Sequence, residues 1–269
     1  MNILINISEV AIITGDNKFK TRREFFIDFW RKNAKVDYHK YSSMTEFVKE
    51  TDMDVIHKIA KTNNIKLDAD IKTCALTRNT NDLQSIKQEI LKKVDKLDPK
   101  QKAEITASIN NVTNTKFGIK NEYDINILYH KLTGLTIVKD NKYRKIELAT
   151  YGDMCFSLGG KIDGICSENG CIIEIKNRVN RIFYELREYE KVQIMCYLFL
   201  HGAEKGQLVE ALKKKDGTDI NVIDVDFDHI YMNKIKERLT QFISYFVNFM
   251  ESEKMKIDIL TTDCEIDFY

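Results

Sequence analysis

The chain has 269 residues, with Lys+Arg 42 against Asp+Glu 41 and a formal net charge of +1, so no overall basic field marks it as a nucleic-acid binder. Any such binding has to come from local patches on a neutral protein. The length suits one large domain with an insertion, and 1 proline, 11 glycines and no low-complexity tract exclude extended disordered linkers.

The segment MNILINISEVAIITG has no cationic stretch ahead of a long apolar run, and no window approaches about eighteen apolar residues. An intracellular protein without membrane association is expected. The 6 cysteines form no CxxC pair in a chain too large to need disulfide staples, so reduced thiols are expected. Cys166 and Cys171 flank a turn, but an iron–sulfur cluster needs four thiolates. The 5 histidines show no HxH or HExxH spacing, which disfavours a zinc hydrolase. There is no GxxxxGK[ST] and no GxSxG, so neither an NTPase nor a serine hydrolase has a foothold.

Ser8 to Thr14 reads as a short helix closed by Gly15, and Thr21 with Glu24 as a capping box before the aromatic helix FFIDFW. From Ser43, with a second capping box to Glu46, the chain reads as helical and polar to about Asn111. Within it Leu83, Ile86, Ile90, Val94 and Leu97 recur at helical spacing, and Asp98-Pro99 opens a further helix. Another helix is expected from about Lys116 to Leu132, stopped by Gly134 and carrying Glu122.

Short β-rich runs follow: LTIV, YRKIELATY, MCFSL, GKIDGIC and CIIEIK, the last two joined by the turn Ser-Glu-Asn-Gly. Tyr184 to Leu200 reads as a helix, GQLVEAL and NVIDVDF as strands, and Tyr231 to Glu251 as a long amphipathic helix with Ile235, Leu239, Phe242, Phe246 and Phe249 on one stripe. Helices, sheet, helix, strands, helix is an α/β or α+β layer order.

The sharpest feature is GGKIDG followed by IIEIKNR. Glu174 and Lys176 stand two apart in one strand and leave the same face, while Ile173 and Ile175 enter the other. A hairpin around Glu168-Asn169-Gly170 brings Asp163 beside Glu174 across the sheet. Two carboxylates so placed suit one hard cation such as Mg²⁺, with the main-chain carbonyl of Ile175 as a further ligand and the Lys176 ammonium next to it. A surface strand with an ion pair is the plainer alternative. Arg178, Arg181, Arg187 and Lys191 lead off this strand into the next helix and could track a nucleic-acid backbone, though a solvated face explains them nearly as well. Lys20 and Arg22, beside the Ser8 helix, are better candidates for phosphate contact.

Asp, then Glu-x-Lys on the next strand, then a helix with a glutamine resembles the PD-(D/E)xK nuclease superfamily. Within it the chain looks most like the lambda exonuclease and YqaJ viral recombinase group. The N-terminal part of that likeness is ISEVAIITGDNKFKTRREF, with Ser8, Gly15, Asn17, Lys20, Thr21 and Arg22. FGIKNEYDINILYHKLTG supplies Gly118, Glu122, Tyr129, Thr133 and Gly134, and YEKVQIMCYLFLHG supplies Tyr189, Gln193 and Gly202. Ile162 stands where the group usually has proline, Asn177-Arg178 where it often has Cys-Pro, and Lys191 where it commonly has a first glutamine. The arginine that the group places upstream of the Ser8 helix has no counterpart in MNILINI.

The resemblance implies a restriction-endonuclease-like core, a mixed central β-sheet flanked by helices. Residues 1–42 and 112–269 would form that core and 43–111 a helical insertion. Asp163, Glu174, Lys176, Glu122 and Gln193 would be the catalytic set, with Asp163, Glu174, Ile175 and Glu122 on the metal. Ser8, Lys20, Arg22, Arg178 and Lys191 would face the nucleic acid. It implies a Mg²⁺-dependent exonuclease, with Mn²⁺ able to substitute, acting on double-stranded DNA with a free end in viral or phage-type recombination, repair or replication. A single-strand-annealing or replication partner and a homo-oligomer fit the same picture. An endonuclease, an RNA-acting nuclease or an inactive nucleic-acid-binding module of the same fold remain alternatives.

Overall fold

A computed structural model of the chain describes residues 1–77, 79–118 and 122–269, with the side chains at 75 and 115–124 outside the description. The chain opens with β1 (Asn2–Asn6), whose Ile3 and Ile5 are buried. No strand was expected there, because five residues carry too little pattern without the partner that completes them. α1 (Ile7–Ile13) follows directly and is closed at Gly15, φ +86°, as expected.

α2 (Arg22–Asn33) has the capping box read from the sequence: Thr21 Oγ1 accepts the Glu24 N–H at 3.1 Å, and Glu24 Oε2 accepts the Thr21 N–H at 3.1 Å. The second box is corrected. Ser43 lies in the last turn of α3 (Lys35–Met44), which continues because Tyr38 and Tyr41 bury themselves against Trp30. The box that opens the next helix, α4 (Asp52–Thr62), is Thr51 with Asp54.

α5 (Asp68–Leu76), α6 (Thr80–Val94) and α7 (Pro99–Gly118) complete a helical unit. Asp98 Oδ1 accepts the N–H groups of Lys100 and Gln101 at 3.1 Å each, the start expected of Asp98-Pro99. α4 to α7 share a core of their own, with Ile56, Leu67, Leu83, Ile90 and Ile105 in it, while Phe47 still packs on the main core. Thr80 Oγ1 donates to the Lys213 carbonyl, and Gln84 Nε2 to Val179 O and Asn180 Oδ1, which ties this unit to the end of the sheet. The helix expected from Lys116 to Leu132 falls on the end of α7, described to Gly118, and on α8 (Glu122–Thr133), with 119–121 outside the described residues, and it ends at Gly134, φ +72°.

The strands are β2 (Ile137–Val138), β3 (Arg144–Tyr151), β4 (Met154–Gly160), β5 (Gly164–Cys166) and β6 (Ile172–Asn177). α9 (Glu188–His201) begins four residues later than expected, since Tyr184 has φ 60° and cannot be helical. β7 (Lys205–Lys213), β8 (Thr218–Asp226) and α10 (His229–Glu251) follow. α11 (Glu253–Thr261) was not foreseen; Ser252 breaks the helix in an extended conformation and its hydroxyl caps Met255 N–H at 3.2 Å.

The fold is mixed α/β, with strands flanked by helices. β1-β4-β3 form one sheet and β2-β5-β6-β7-β8 the other, joined through residues 161–163. β1 runs parallel to β4, and β6 parallel to β7; the remaining pairs are antiparallel. The α10 stripe packs Phe242, Phe246 and Phe249 edge-on against Phe26, Phe29 and Trp30. Each such ring contributes about 1.5–3 kcal/mol by leaving water. Among the described residues no helix is long and apolar enough to cross a membrane.

Candidate active site

β5 and β6 pair as Gly164↔Ile173 and Ile165↔Ile172. The next step of that register sets Asp163 opposite Glu174, just before β5 begins. Asp163 Oδ2 accepts the Ile175 N–H at 2.7 Å, so its carboxylate takes the place of a strand partner on the open edge of β6. A residue's N–H and C=O leave an extended strand on the same edge, so the Ile175 carbonyl points to the Asp163 side.

On the α9-facing side of β6, Glu174 is 5% exposed. Its Oε1 accepts from Lys176 Nζ at 2.7 Å and from Gln193 Nε2 at 2.9 Å, and Gln193 Oε1 accepts from Lys176 Nζ at 2.8 Å. Burial pushes the Glu174 carboxyl up to about 7; the Lys176 charge opposes this and that of Asp163 adds to it. For Lys176 burial works against the charged form, but Glu174 and the neighbouring carboxylates outweigh it and hold the ammonium above its ordinary value. Tyr197, one turn beyond Gln193, is buried and its phenol is raised, first by burial and then by Glu174. It was not singled out in the sequence, where an aromatic on a helical apolar face reads as core.

Oxygen donors dominate this cluster, and two carboxylates with like charge, partly shielded from water, fit a hard cation. Among the described residues no group of three or more Asp, Glu, His or Cys is gathered for a metal. Glu122 opens α8, and its side chain lies outside the described residues. The described side chains of α8, Ile125 and Tyr129, pack with Ile173 on the opposite face of β6.

Two groups from the resemblance motif do meet here. Phe19, from the segment after α1, contacts Tyr189 of α9 edge-on at 5.6 Å. A Cβ on Gly160 would lie 2.8 Å from Tyr197 Cε1 and 3.2 Å from Ile7 Cβ, so the start of α1, with exposed Ser8 beside Ile7, adjoins Tyr197.

Each cation expected to face a nucleic acid has a partner within the protein, and one of them is buried. Arg178 is buried: its Nε donates to Glu210 at 2.7 Å, and Nη1 and Nη2 to Glu190 at 2.6 and 3.1 Å. It is an ionic strut between β6, β7 and α9, because two fully buried carboxylates require a cation between them. Arg22 donates to Asp267 at 3.1 Å and lies 4.6 Å over the Tyr269 ring, at the C-terminal end of α1 next to Gly15. A cation belongs at that end of a helix, about 10 Å from Ser8, so Arg22 and Ser8 do not converge. Lys20 pairs with Asp28 at 2.7 Å, a carboxylate that also holds Lys49 and Arg31. Lys191 lies 4.2 Å over the Tyr231 ring, two residues from Gln193 and so turned to another side of α9.

Glu190 and Glu210 were missed. The signal for Glu210 was present, a lone carboxylate in the apolar run LVEAL, the same anomaly that exposes Glu174 in IIEIK. Burial alone would raise the Glu210 carboxyl, yet the Phe183 and Tyr184 N–H groups, Asn221 and Arg178 hold it below its ordinary value.

No protein-family profile matches the chain, and no curated protein aligns with it. Solved structures that superpose on it include exonucleases. A phage related exonuclease from Haemophilus somnus 129PT superposes with a TM-score of 0.40 at 16% identity, covering 51% of this chain and 72% of that one. An alkaline exonuclease from Laribacter hongkongensis gives 0.39 at 13% identity, with 70% and 91% covered. The same enzyme in complex with dAMP gives 0.38 at 14%, with 68% and 88% covered.

Proposed function

We propose that this protein is a Mg²⁺-dependent nuclease that hydrolyses phosphodiester bonds in DNA, acting on duplex ends as an exonuclease in recombination, repair or replication. The observation that carries this reading is the meeting of Asp163 and Glu174 at the start of β5, with Lys176 and Gln193 bonded to the same Glu174 oxygen. Asp163, Glu174 and the Ile175 carbonyl would hold the ion, with Glu122 as third carboxylate and Mn²⁺ able to replace Mg²⁺. When bound, the ion supplies charge neutralisation on the non-bridging phosphate oxygens and acidifies water near neutral pH.

The chain's own groups divide the rest of the work. Lys176, held by Glu174 and Gln193, presents a fixed ammonium that orients the attacking water and stabilises negative charge growing on the phosphoryl group. Water adds its oxygen to phosphorus, the bond to the leaving sugar oxygen breaks, and the proton lost by the water balances the one the leaving oxygen gains. Gln193 keeps Lys176 from swinging away, and the Arg178 strut keeps β6 and α9 at the spacing this requires.

The test is incubation of the purified protein with linear, nicked and closed-circular DNA and with RNA, in Mg²⁺ or EDTA, beside Asp163→Ala and Lys176→Ala. Mg²⁺-dependent release of nucleotides from linear DNA, abolished in both variants, is the expected result. No cleavage of any substrate, or equal cleavage by the variants, overturns it; cutting of closed circles or of RNA redirects it to an endonuclease or a ribonuclease.

A further inference from the structure

The loop 178–187 joins the two elements that carry the site, running from β6, with Glu174 and Lys176, to α9, with Gln193. It holds an unusual residue. Tyr184 has φ 60°, the left-handed region that a bulky side chain rarely enters, and its side chain is 71% exposed. A single exposed aromatic needs no explanation. An exposed aromatic locked in a strained backbone by a buried carboxylate does, because such strain persists only where the surroundings impose it.

That carboxylate is Glu210. It is fully buried on β7, and it accepts the Phe183 N–H at 3.1 Å and the Tyr184 N–H at 3.0 Å while also pairing with Arg178 at 2.7 Å. The loop is therefore pinned from below at the very residue whose ring is turned to solvent. Phe183 anchors it from the side, with the guanidinium groups of Arg178, Arg187 and Arg181 at 4.7, 4.1 and 5.3 Å from its ring. Arg178 is consumed inside, whereas Arg181 is exposed and Arg187, ion-paired with Glu185 at 3.5 Å, is half-exposed, so two cations lie on the Phe183 ring next in sequence to Tyr184.

We infer that Tyr184 is a stacking platform for an unpaired nucleobase of the substrate strand, with Arg181 and Arg187 taking the adjoining phosphates. This rests on the nuclease reading above and adds the form of the substrate. Inside a duplex both faces of a base are covered by neighbours and a blunt end bares only the outer face of its last pair, whereas every base of an unpaired segment can offer a face to the ring. Aromatic rings with interleaved cations are how proteins hold single strands irrespective of sequence. Tyr184 is thus a binding residue that favours ends carrying a single-stranded segment.

The experiment measures fluorescence anisotropy of end-labelled single-stranded and blunt duplex oligonucleotides in EDTA, so that binding is read without cleavage, for the full chain and for Tyr184→Ala, Tyr184→Gly, Tyr184→Phe and Arg181→Ala. Loss of one stack predicts about tenfold weaker single-strand binding for both Tyr184→Ala and Tyr184→Gly, with Tyr184→Phe within about twofold of wild type. Glycine relaxes the backbone while removing the ring, so equal loss in both assigns the effect to stacking, and Tyr184→Gly serves if the alanine variant misfolds. Arg181→Ala should flatten the salt dependence, and Tyr184→Ala should leave it unchanged. Single-strand binding by a folded Tyr184→Gly within twofold of wild type overturns the inference, as does a wild-type protein that binds no oligonucleotide. Cleavage lost in Asp163→Ala together with unchanged binding in Tyr184→Gly sinks the platform and spares the nuclease. Tyr184-dependent binding without Mg²⁺-dependent cleavage does the reverse.

Discussion

Gln193 donates its Nε2 to Glu174 Oε1 at 2.9 Å, and the Lys176 ammonium closes the ring by donating to both. Only this orientation of the amide puts its carbonyl against the ammonium and its NH₂ against the carboxylate. Removing it with Gln193→Leu leaves Glu174 and Lys176 one bond short each, and hydrogen bonds to charged groups are worth about 1.5–3 kcal/mol. The cleavage rate should fall roughly 10- to 100-fold, with oligonucleotide affinity in EDTA unchanged. A rate within threefold of wild type would show that the amide does not position Lys176.

Glu174 gives a pH dependence with a defined sign. Its carboxyl is raised to about 7 from 4.5, so the folded metal-free protein binds this proton more tightly than the unfolded chain does. The contribution to stability is full below about pH 4.5 and is lost as the pH rises through about 7. Melting temperatures of the metal-free protein should decline over that interval, and Glu174→Gln should remove that part of the decline. Divalent-cation affinity should run the other way, rising to about pH 7 as the competing proton leaves. An identical pH profile for wild type and Glu174→Gln would refute this.

Arg178 is predicted to be structural. Arg178→Met leaves Glu190 and Glu210 as unpaired buried carboxylates and should cost about 3–5 kcal/mol in urea unfolding. Lysine should not rescue it, since one ammonium cannot replace the forked contacts at 2.6, 3.1 and 2.7 Å. Unchanged stability with weakened DNA binding would restore Arg178 as a phosphate contact.

Gly160 lies beneath Tyr197. An added Cβ there would stand 2.8 Å from the Tyr197 ring and 3.2 Å from Ile7, both buried, with no flexible end to yield. Gly160→Ala should destabilise by about 1–3 kcal/mol and lower activity, because Tyr197 shares α9 with Gln193. Wild-type stability in this variant would mean that α1 and α9 move apart freely.

The placement of Asp163, Glu174 and Lys176 was legible because its signals are local. Alternation along IIEIK put Glu174 and Lys176 on one face, and a short hairpin left Asp163 a single register opposite Glu174. Helix starts at Thr21 and Asp98 were equally readable, each needing only residues within one turn. Ser43 misled for the same reason: its capping box is a local pattern, overridden by the burial of Tyr38 and Tyr41 against Trp30.

What depends on distant partners was decided only in three dimensions. β1 is a strand because β4, more than a hundred residues away, lies parallel to it, and β6 finds β7 across an intervening helix. Whether a cation is a phosphate contact or a strut depends on which carboxylates the fold brings to it: Arg178 met Glu190 and Glu210, Arg22 met Asp267, and Lys20 met Asp28. Charge type and strand face belong to the residue and its neighbours, and so they can be read along the chain. Burial and pairing belong to the packed core, whose contacts join residues that no sequence spacing relates.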